Sequence, residues 1–216
     1  MIRFGCSGSG RAKVENKFVE KKIVYFNKAG RTNTRETLRL AAEEAAARGI
    51  SKVLVASTTG ETARRAAEQF AGTGIKLIIV PHQFGFKAGK RFPPELVAEL
   101  EQQGHKVHFA TMPFHTDDFH GCKAVEAMAI ALRTICQGMK VCVEIVLMAA
   151  DAGLVAQGEE VIAVSGTRAG ADTAVVALAS TTSRFNELHI TEILCKPLKT
   201  RIWPLGPTPY DRPRQD

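Results

Sequence analysis

The chain has 216 residues, 45% of them apolar and 24% charged, which predicts one domain, or at most two, with its own hydrophobic core. Short apolar stretches, no evident secretory signal and five cysteines without paired spacing exclude membrane-spanning and disulfide-rich extracellular proteins and favour a cytoplasmic one. The net charge of +7 arises at the two ends, since residues 41–195 carry 14 basic and 17 acidic residues, so we expect no specific nucleic acid and no membrane as a partner.

After a basic arm over residues 1–20, the predicted elements alternate between strands and helices. Lys22–Phe26 is a short β-branched and aromatic strand, and Gly30–Thr34 is a turn that leads into a helix ending near Arg48. Lys52–Ala56 is apolar over most of its length, which is typical of a strand covered on both faces. The same alternation continues with a helix at Glu61–Phe70, a strand at Ile75–Val80, a helix at Pro93–Gln103 and a strand at Lys106–Ala110.

The second half of the chain is predicted to contain a loop, three helices and two further strands. These are the loop Thr111–Gly121, helices at Ala124–Cys136, Lys140–Asp151 and Ala171–Ala179, and strands at Glu160–Val164 and Leu188–Cys195. Lys140–Asp151 is apolar almost all round, so we expect it to be deeply buried. The alternation predicts a three-layer α/β/α sandwich with a mostly parallel sheet, as a single domain over residues 21–198 followed by a proline-rich tail over residues 199–216.

Ligands of open α/β sheets bind where strands end and helices begin, and the segment after Lys52–Ala56 has the chemistry to hold an anion there. Its candidate residues are Ser57, Thr58, Thr59, Gly60 and Thr62. Free backbone N–H groups, the positive end of the helix dipole and several hydroxyls would form a cradle for a phosphate or carboxylate. The alternative is helix capping by Ser57 or Thr58, which accounts for one hydroxyl only. No Gly-Lys-Ser/Thr sequence follows, so this is not a Walker A loop.

A second loop, after the strand Glu160–Val164, repeats this pattern. Its candidate residues are Gly166, Thr167, Arg168, Gly170, Asp172 and Thr173. Arg168 can hold a phosphate through two parallel hydrogen bonds. Asp172 would either cap the helix predicted at Ala171–Ala179 or accept a hydrogen bond from a ligand hydroxyl.

Two further loops are expected at the same edge of the sheet. Asn33 and Thr34 would flank the anion, although a helix-capping role for either residue is a sufficient explanation of both. The loop after Ile75–Val80 contains His82 and Phe86 and would supply an aromatic wall.

Four runs of residues, in this order along the chain, carry a family resemblance. They are Tyr25–Thr34, Val55–Ala63, Lys140–Glu144 with Met148–Gly153, and Gly170–Ala174. Over about Val24–Pro197 the sequence resembles the stand-alone proteins similar to the C-terminal α/β domain of pyruvate kinase. The resemblance implies a sheet like that of the allosteric domain of pyruvate kinase, where a strand–loop–helix segment holds a sugar phosphate. Members of the stand-alone family are associated with flavin mononucleotide (FMN), so the resemblance implies FMN at Ser57–Thr62, or otherwise a sugar phosphate or free phosphate.

The resemblance does not imply the pyruvate kinase reaction. That reaction needs a (β/α)₈ barrel of about 250 residues, so we expect no pyruvate kinase activity. No second dinucleotide fingerprint and no acid–base pair near the loops are evident, which favours sensing or storage of the ligand over catalysis. A small FMN-dependent oxidoreductase remains the alternative, and no catalytic residue is assigned.

Two other groups of residues have chemistry of their own. His115–Cys122 places two His, two Asp and one Cys within eight residues, so a metal-dependent enzyme using the His115–His120 loop is a further alternative, although we expect a solvated loop without a metal. Glu144 lies on the helix expected to be buried and needs a partner. That partner is either Lys140, one turn earlier, or a ligand hydroxyl or backbone group.

The C-terminal tail bears on assembly. It contains the only tryptophan, Trp203, and an indole is costly to leave in water. We predict a homo-oligomer built by two-fold contacts. The tail either docks on its own domain or on a neighbouring subunit, or is disordered with an exposed Trp203.

Overall fold

A computed structural model describes residues 18–84, 91–116 and 123–199. Within these ranges the helices are Thr34–Arg48 (α1), Glu61–Phe70 (α2), Pro94–Gln102 (α3), Ala124–Arg133 (α4) and Gln137–Asp151 (α5). The strands are Val24–Phe26 (β1), Lys52–Ala56 (β2), Lys76–Val80 (β3), Lys106–Val107 (β4), Glu160–Ser165 (β5), Thr173–Leu178 (β6) and His189–Pro197 (β7). Residues 1–17, Phe86, His120 and the tail with Trp203 lie outside the described residues.

The strands form one sheet in the order β1-β7-β6-β5-β2-β3-β4. Four of its neighbouring pairs are parallel, whereas β6 is antiparallel to both β5 and β7. The sheet carries helices on both faces, so the predicted three-layer α/β/α sandwich with a mostly parallel sheet is confirmed.

The prediction of a helix at Ala171–Ala179 is wrong, because this segment forms the strand β6. Val175 and Val176 are β-branched and fully buried, and pairing with β5 and β7 on both sides satisfies the backbone groups of the segment. A strand covered on both faces has a continuous run of apolar residues. Such a short run shows no alternation that would distinguish it from a buried helix.

Two apolar layers hold the sandwich together, one on each face of the sheet. Val53 and Val55 pack against α1, α2 and α3, whereas Leu54 between them faces α5. All three side chains are fully buried, and each contributes roughly 1.5–3 kcal/mol relative to an exposed position. Helix α5 is buried from Gly138 to Ala150 except at Val141, so the prediction of a deeply packed helix there is confirmed.

The ends of several elements differ from the prediction. Helix α3 begins at Pro94, one residue after the predicted start at Pro93, and has this proline in its first turn. Strand β4 pairs with β3 over two residues only, so the strand predicted as far as Ala110 is too long. Beyond β4 the N–H of His108 still donates to the carbonyl of Ile79 at 2.9 Å. Among the described residues, no helix is long and apolar enough to cross a membrane.

Candidate functional site

The three loops predicted to hold an anion meet at one edge of the sheet. Strands β1, β2 and β5 run in the same direction, so the turns that follow them lie together at the carboxyl ends of the strands. Strand β6 returns from this edge, with Thr173 paired to Ser165, which makes residues 166–172 the loop of a β-hairpin. We call the surface formed by residues 27–33, 57–62 and 166–172 the carboxyl edge.

Asp172 is at the centre of the contacts between these loops. Its side chain is fully buried, and one carboxylate oxygen accepts from the N–H of Gly30 at 2.7 Å and from the N–H of Thr167 at 3.2 Å. The other oxygen accepts from the hydroxyl of Thr173 at 3.0 Å. Because a strand follows, the helix-capping alternative considered for Asp172 is wrong. The carboxylate instead ties the loop after β1 to the hairpin.

Thr34 ties the same two loops together from the other side. Its hydroxyl donates to the carbonyl of Arg31 at 2.8 Å and accepts from the N–H of Ala171 at 3.0 Å. The side-chain amide of Asn33 donates to the carbonyl of Lys28 at 2.7 Å. Neither side chain caps α1, which follows a 3-10 turn, so the capping explanation for these two residues is wrong.

The start of α2 combines an internal cap with open donors. The hydroxyl of Ser57 accepts from the N–H of Ala63 at 3.1 Å, which is the capping role considered for it. Ser57 and Thr62 are buried, Thr58 is half-buried and Thr59 is exposed. The other N–H groups in the first turn of α2 have no acceptor within the helix, so they face the carboxyl edge.

Gly60 makes the turn into α2 possible. It has φ +87°, and a Cβ at this position would lie 2.4 Å from Cδ2 of Leu96 and 3.8 Å from Cε2 of Phe92. Glycine is therefore required both by the backbone conformation and by the close approach of α3.

The tip of the hairpin carries a buried hydroxyl that lacks a partner. Thr167 Oγ1 is inaccessible to solvent and has no hydrogen-bond partner among the described residues. Arg168 next to it is exposed and is held at φ +65°, a conformation that is uncommon for a residue with a side chain. Since a strand follows this loop, the helix dipole expected beside Gly166 and Gly170 is not there. The two glycines instead allow the hairpin to close, because a Cβ on Gly166 would lie 2.3 Å from the carbonyl oxygen of Gly170.

A cation missed by the sequence analysis also borders this edge. Arg31 forms an ion pair with Glu61 at 3.0 Å, with side chains 60% and 38% exposed. A Cβ on Gly170 would lie 2.5 Å from the Cα of Arg31, so the loop after β1 and the hairpin are in close contact. The Gly-Arg-Thr-Asn-Thr sequence indicated a turn there but gave no reason to select its arginine.

Glu144 belongs to a separate buried cluster on the opposite face of the sheet from α2. It contacts Nζ of Lys140 at 2.6 Å and Nδ1 of His115 at 3.1 Å, and it accepts from the N–H of Phe114 at 3.1 Å. The expected contact with Lys140 is therefore confirmed, together with a backbone donor. Because both carboxylate oxygens are engaged within the protein, the cluster explains why this apolar helix tolerates a charge.

Burial and the contacts within the cluster shift the pKa values of Lys140 and Glu144. Burial lowers the pKa of the Lys140 ammonium, and the charge of Glu144 offsets only part of that shift. Burial alone would raise the pKa of Glu144, but its hydrogen bond with His115 and the charge of Lys140 hold that pKa below its ordinary value. Its two partners therefore favour the charged form of Glu144.

The described residues do not provide a set of side chains that could bind a metal, as the metal-binding alternative would require. Among them, no group of three or more His, Cys, Asp or Glu side chains could hold a metal ion. His115 contacts Glu144 and Lys140, and His120 lies outside the described residues.

An aromatic row near the start of α2 was missed in the sequence. Phe84 contacts Phe109 edge to face with ring centroids 5.9 Å apart, and Phe109 contacts Phe92 in the same way at 6.2 Å. His82, which is half-buried, lies two residues before Phe84. The sequence indicated an aromatic wall in this loop and assigned it to His82 and Phe86, of which Phe86 lies outside the described residues.

An open groove lies at the far end of α2 and α3. It has a volume of about 520 Å³ and is bordered by Phe70, Ile75, Gln103 and His105 among others. The groove is at the amino ends of β3 and β4, where helices end and present carbonyl groups. The helix C-termini there carry the negative end of the helix dipole, which disfavours an anion, whereas Lys76 in the lining of the groove favours one.

Two comparisons show which known proteins this chain is similar to. Residues 35–177, more than half of the chain, match the sequence profile of the family described as pyruvate kinase, alpha/beta domain. Among solved structures, a pyruvate kinase from Cryptosporidium parvum is 17% identical over 68% of this chain, with a TM-score of 0.39. The pyruvate kinase of the same organism in complex with ADP is 19% identical over 66% of this chain, with a TM-score of 0.36. In both cases the match covers 23% of the pyruvate kinase chain, so this chain spans less than a quarter of their length.

Proposed function

Because the chain belongs to the pyruvate kinase alpha/beta domain family, we propose that its carboxyl edge binds a phosphate-bearing ligand. The phosphate would lie at the start of α2, between residues 57–62 and the tip of the hairpin. The observation that carries the proposal is the hydroxyl of Thr167, which is buried and has no partner among the described residues. Buried hydroxyls are normally hydrogen-bonded, and a small shift of the hairpin tip would let a ligand oxygen reach this one.

Several donors support an anion in this position. Backbone N–H groups in the first turn of α2 carry the positive end of the helix dipole. The half-buried Thr58 and the exposed Thr59 add hydroxyl groups. Arg31 and Arg168 add guanidinium groups, which can bind a phosphate through two hydrogen bonds each.

The ion pair of Arg31 with Glu61 would open when the ligand binds. Both side chains are more than a third exposed, and exposed ion pairs are worth only about 0–1 kcal/mol. A phosphate dianion is therefore a better partner for Arg31 than the Glu61 carboxylate.

We propose FMN as the ligand, with a sugar phosphate or free phosphate as simpler compounds of the same class. Ser57, Thr34 and Asp172 then act as positioning residues, because their oxygens are already engaged within the protein. When bound, FMN supplies one- or two-electron redox chemistry. The role we propose is binding for storage or sensing, and an oxidoreductase would additionally need a site for its electron donor.

The proposal is tested by following the melting temperature of the full chain with FMN, riboflavin, ribose 5-phosphate and inorganic phosphate. A ligand that binds the folded state raises the melting temperature by mass action. We expect FMN and ribose 5-phosphate to raise it, and riboflavin, which lacks the phosphate, to raise it less than FMN. No shift with any phosphate compound at millimolar concentration would overturn the proposal.

A further inference from the structure

Phe84 is exposed to an unusual degree and yet contacts another aromatic ring. Its side chain is 83% exposed, although burying a phenylalanine is worth roughly 1.5–3 kcal/mol. Its ring stands at 78° to that of Phe109, which is the edge-to-face geometry that aromatic pairs prefer. One face of the Phe84 ring is therefore available for a further contact.

The row of rings connects Phe84 to the start of α2. Phe92, at the inner end, is buried against the turn at Gly60, with its Cε2 3.8 Å from where a Cβ on Gly60 would lie. From there the row passes through Phe109 to Phe84 in two steps of 6.2 and 5.9 Å.

The strand order explains why these parts are neighbours. Phe84 follows β3, and Phe109 follows β4, while the proposed phosphate position follows β2. Strands β2, β3 and β4 are adjacent and parallel, so the exposed ring and the proposed phosphate position lie on the same side of the molecule.

We propose that Phe84 forms a subsite for a planar aromatic ring, so that the site selects an aromatic phosphate compound over a plain sugar phosphate. This inference rests on the proposed function and specifies the ligand class for that site. The ring of the ligand stacks on the open face of Phe84 while its phosphate is held at α2. Stacking on an aromatic side chain is tolerant of the ring chosen, because every such ring has a π-face.

The test compares three ligands on the full chain carrying Phe84→Leu, by isothermal titration calorimetry. Leucine keeps an apolar side chain but removes the π-face. FMN and riboflavin should bind about tenfold more weakly than to the unaltered chain, whereas ribose 5-phosphate should bind equally well. Phe18→Leu is the matched control, because Phe18 is 71% exposed and precedes β1, at the opposite edge of the sheet. It should change none of the three affinities.

Failure of this inference is distinguishable from failure of the proposed function. If FMN binds both chains equally, the subsite is wrong while phosphate binding stands. Equal weakening of all three ligands would also overturn the subsite, because Phe84 would then act on the structure of the loop. If none of the phosphate compounds binds the unaltered chain, both proposals are wrong.

Discussion

The carboxylate of Asp172 and the N–H of Gly30 form a hydrogen bond of 2.7 Å although they are 142 positions apart in the sequence. Gly30 follows β1 and Asp172 precedes β6, and β7 lies between these strands in the sheet. The loop after β1 therefore passes over the end of β7 to reach the hairpin. This buried carboxylate orders the carboxyl edge from within, and the arrangement of the proposed site depends on it.

Asp172→Asn tests that dependence. The asparagine amide keeps one oxygen as an acceptor, but its NH₂ group replaces the other oxygen and faces a hydrogen-bond donor. At least one charge-assisted hydrogen bond of Asp172 is therefore lost. We expect the free energy of unfolding in urea to fall by about 1.5–3 kcal/mol. Asp151→Asn is the control, because exposed Asp151 accepts a single N–H, from Thr182 at 2.8 Å, and it should cost less than about 1 kcal/mol. Equal losses for the two variants would contradict the role assigned to Asp172.

Thr59→Asp tests the position of the phosphate. Thr59 is exposed at the start of α2, so a carboxylate fits there and repels a phosphate by like charge. We expect the affinity for FMN to fall at least tenfold, and Thr59→Asn, of the same shape without the charge, to retain most of it. Equal affinities for the Asp and Asn variants would contradict an anion site at this turn. Gly60→Asp is a poorer probe, because its side chain would also collide with Leu96.

Lys140 and Glu144 should behave as a coupled pair. Lys140→Met leaves the Glu144 carboxylate buried without its ammonium partner, which costs about 3–5 kcal/mol. Adding Glu144→Gln removes that charge and keeps an oxygen to accept from the N–H of Phe114. The double variant should therefore be more stable in urea than Lys140→Met alone. A double variant that loses the sum of the two single losses would show that the pair is not coupled.

His105 should make stability depend on pH in the mildly acidic range. Burial lowers its pKa, and its Nδ1 accepts from the N–H of Leu77 at 3.3 Å. The unfolded chain, with a pKa of about 6.5 at this residue, therefore binds a proton that the folded chain does not, so stability falls as the pH drops below about 6.5. His105→Asn keeps an acceptor but does not titrate, so its stability should fall less between pH 7.5 and 5. Parallel pH profiles for the two proteins would refute this account.

Most of the fold could be predicted from the sequence, because strands covered on both faces and amphipathic helices leave clear periodic patterns. The exception was β6. Its alanine- and valine-rich segment is compatible with a helix or a strand, and only its position between β5 and β7 decides between them. Two features were indicated by local signals. A continuous apolar run indicated helix α5 as far as Asp151, and a pair of prolines indicated the start of α3.

The position of the candidate site in the fold could be predicted from the sequence, but the contacts of its residues could not. The strand–loop–helix pattern identified the carboxyl edge, but sequence gave no means of separating residues that hold the loops, such as Asp172 and Ser57, from those that face outward, such as Thr59. Glu144 was recognised as needing a partner, and Lys140 was found by helical spacing. The contact of His115 with Glu144 could not be predicted, because a contact between residues 29 positions apart leaves no local pattern in the sequence.

Chemical-shift mapping of backbone amides in the full chain during titration with FMN tests the central claim most directly. We predict shifts at Thr59, Gly60, Glu61 and Thr62 and at Thr167 and Arg168, together with ring-current shifts at Phe84. Shifts concentrated instead at Phe70, Ile75, Gln103 and His105, around the groove at the opposite edge, or no shifts at all with millimolar FMN, would contradict a phosphate site at the start of α2.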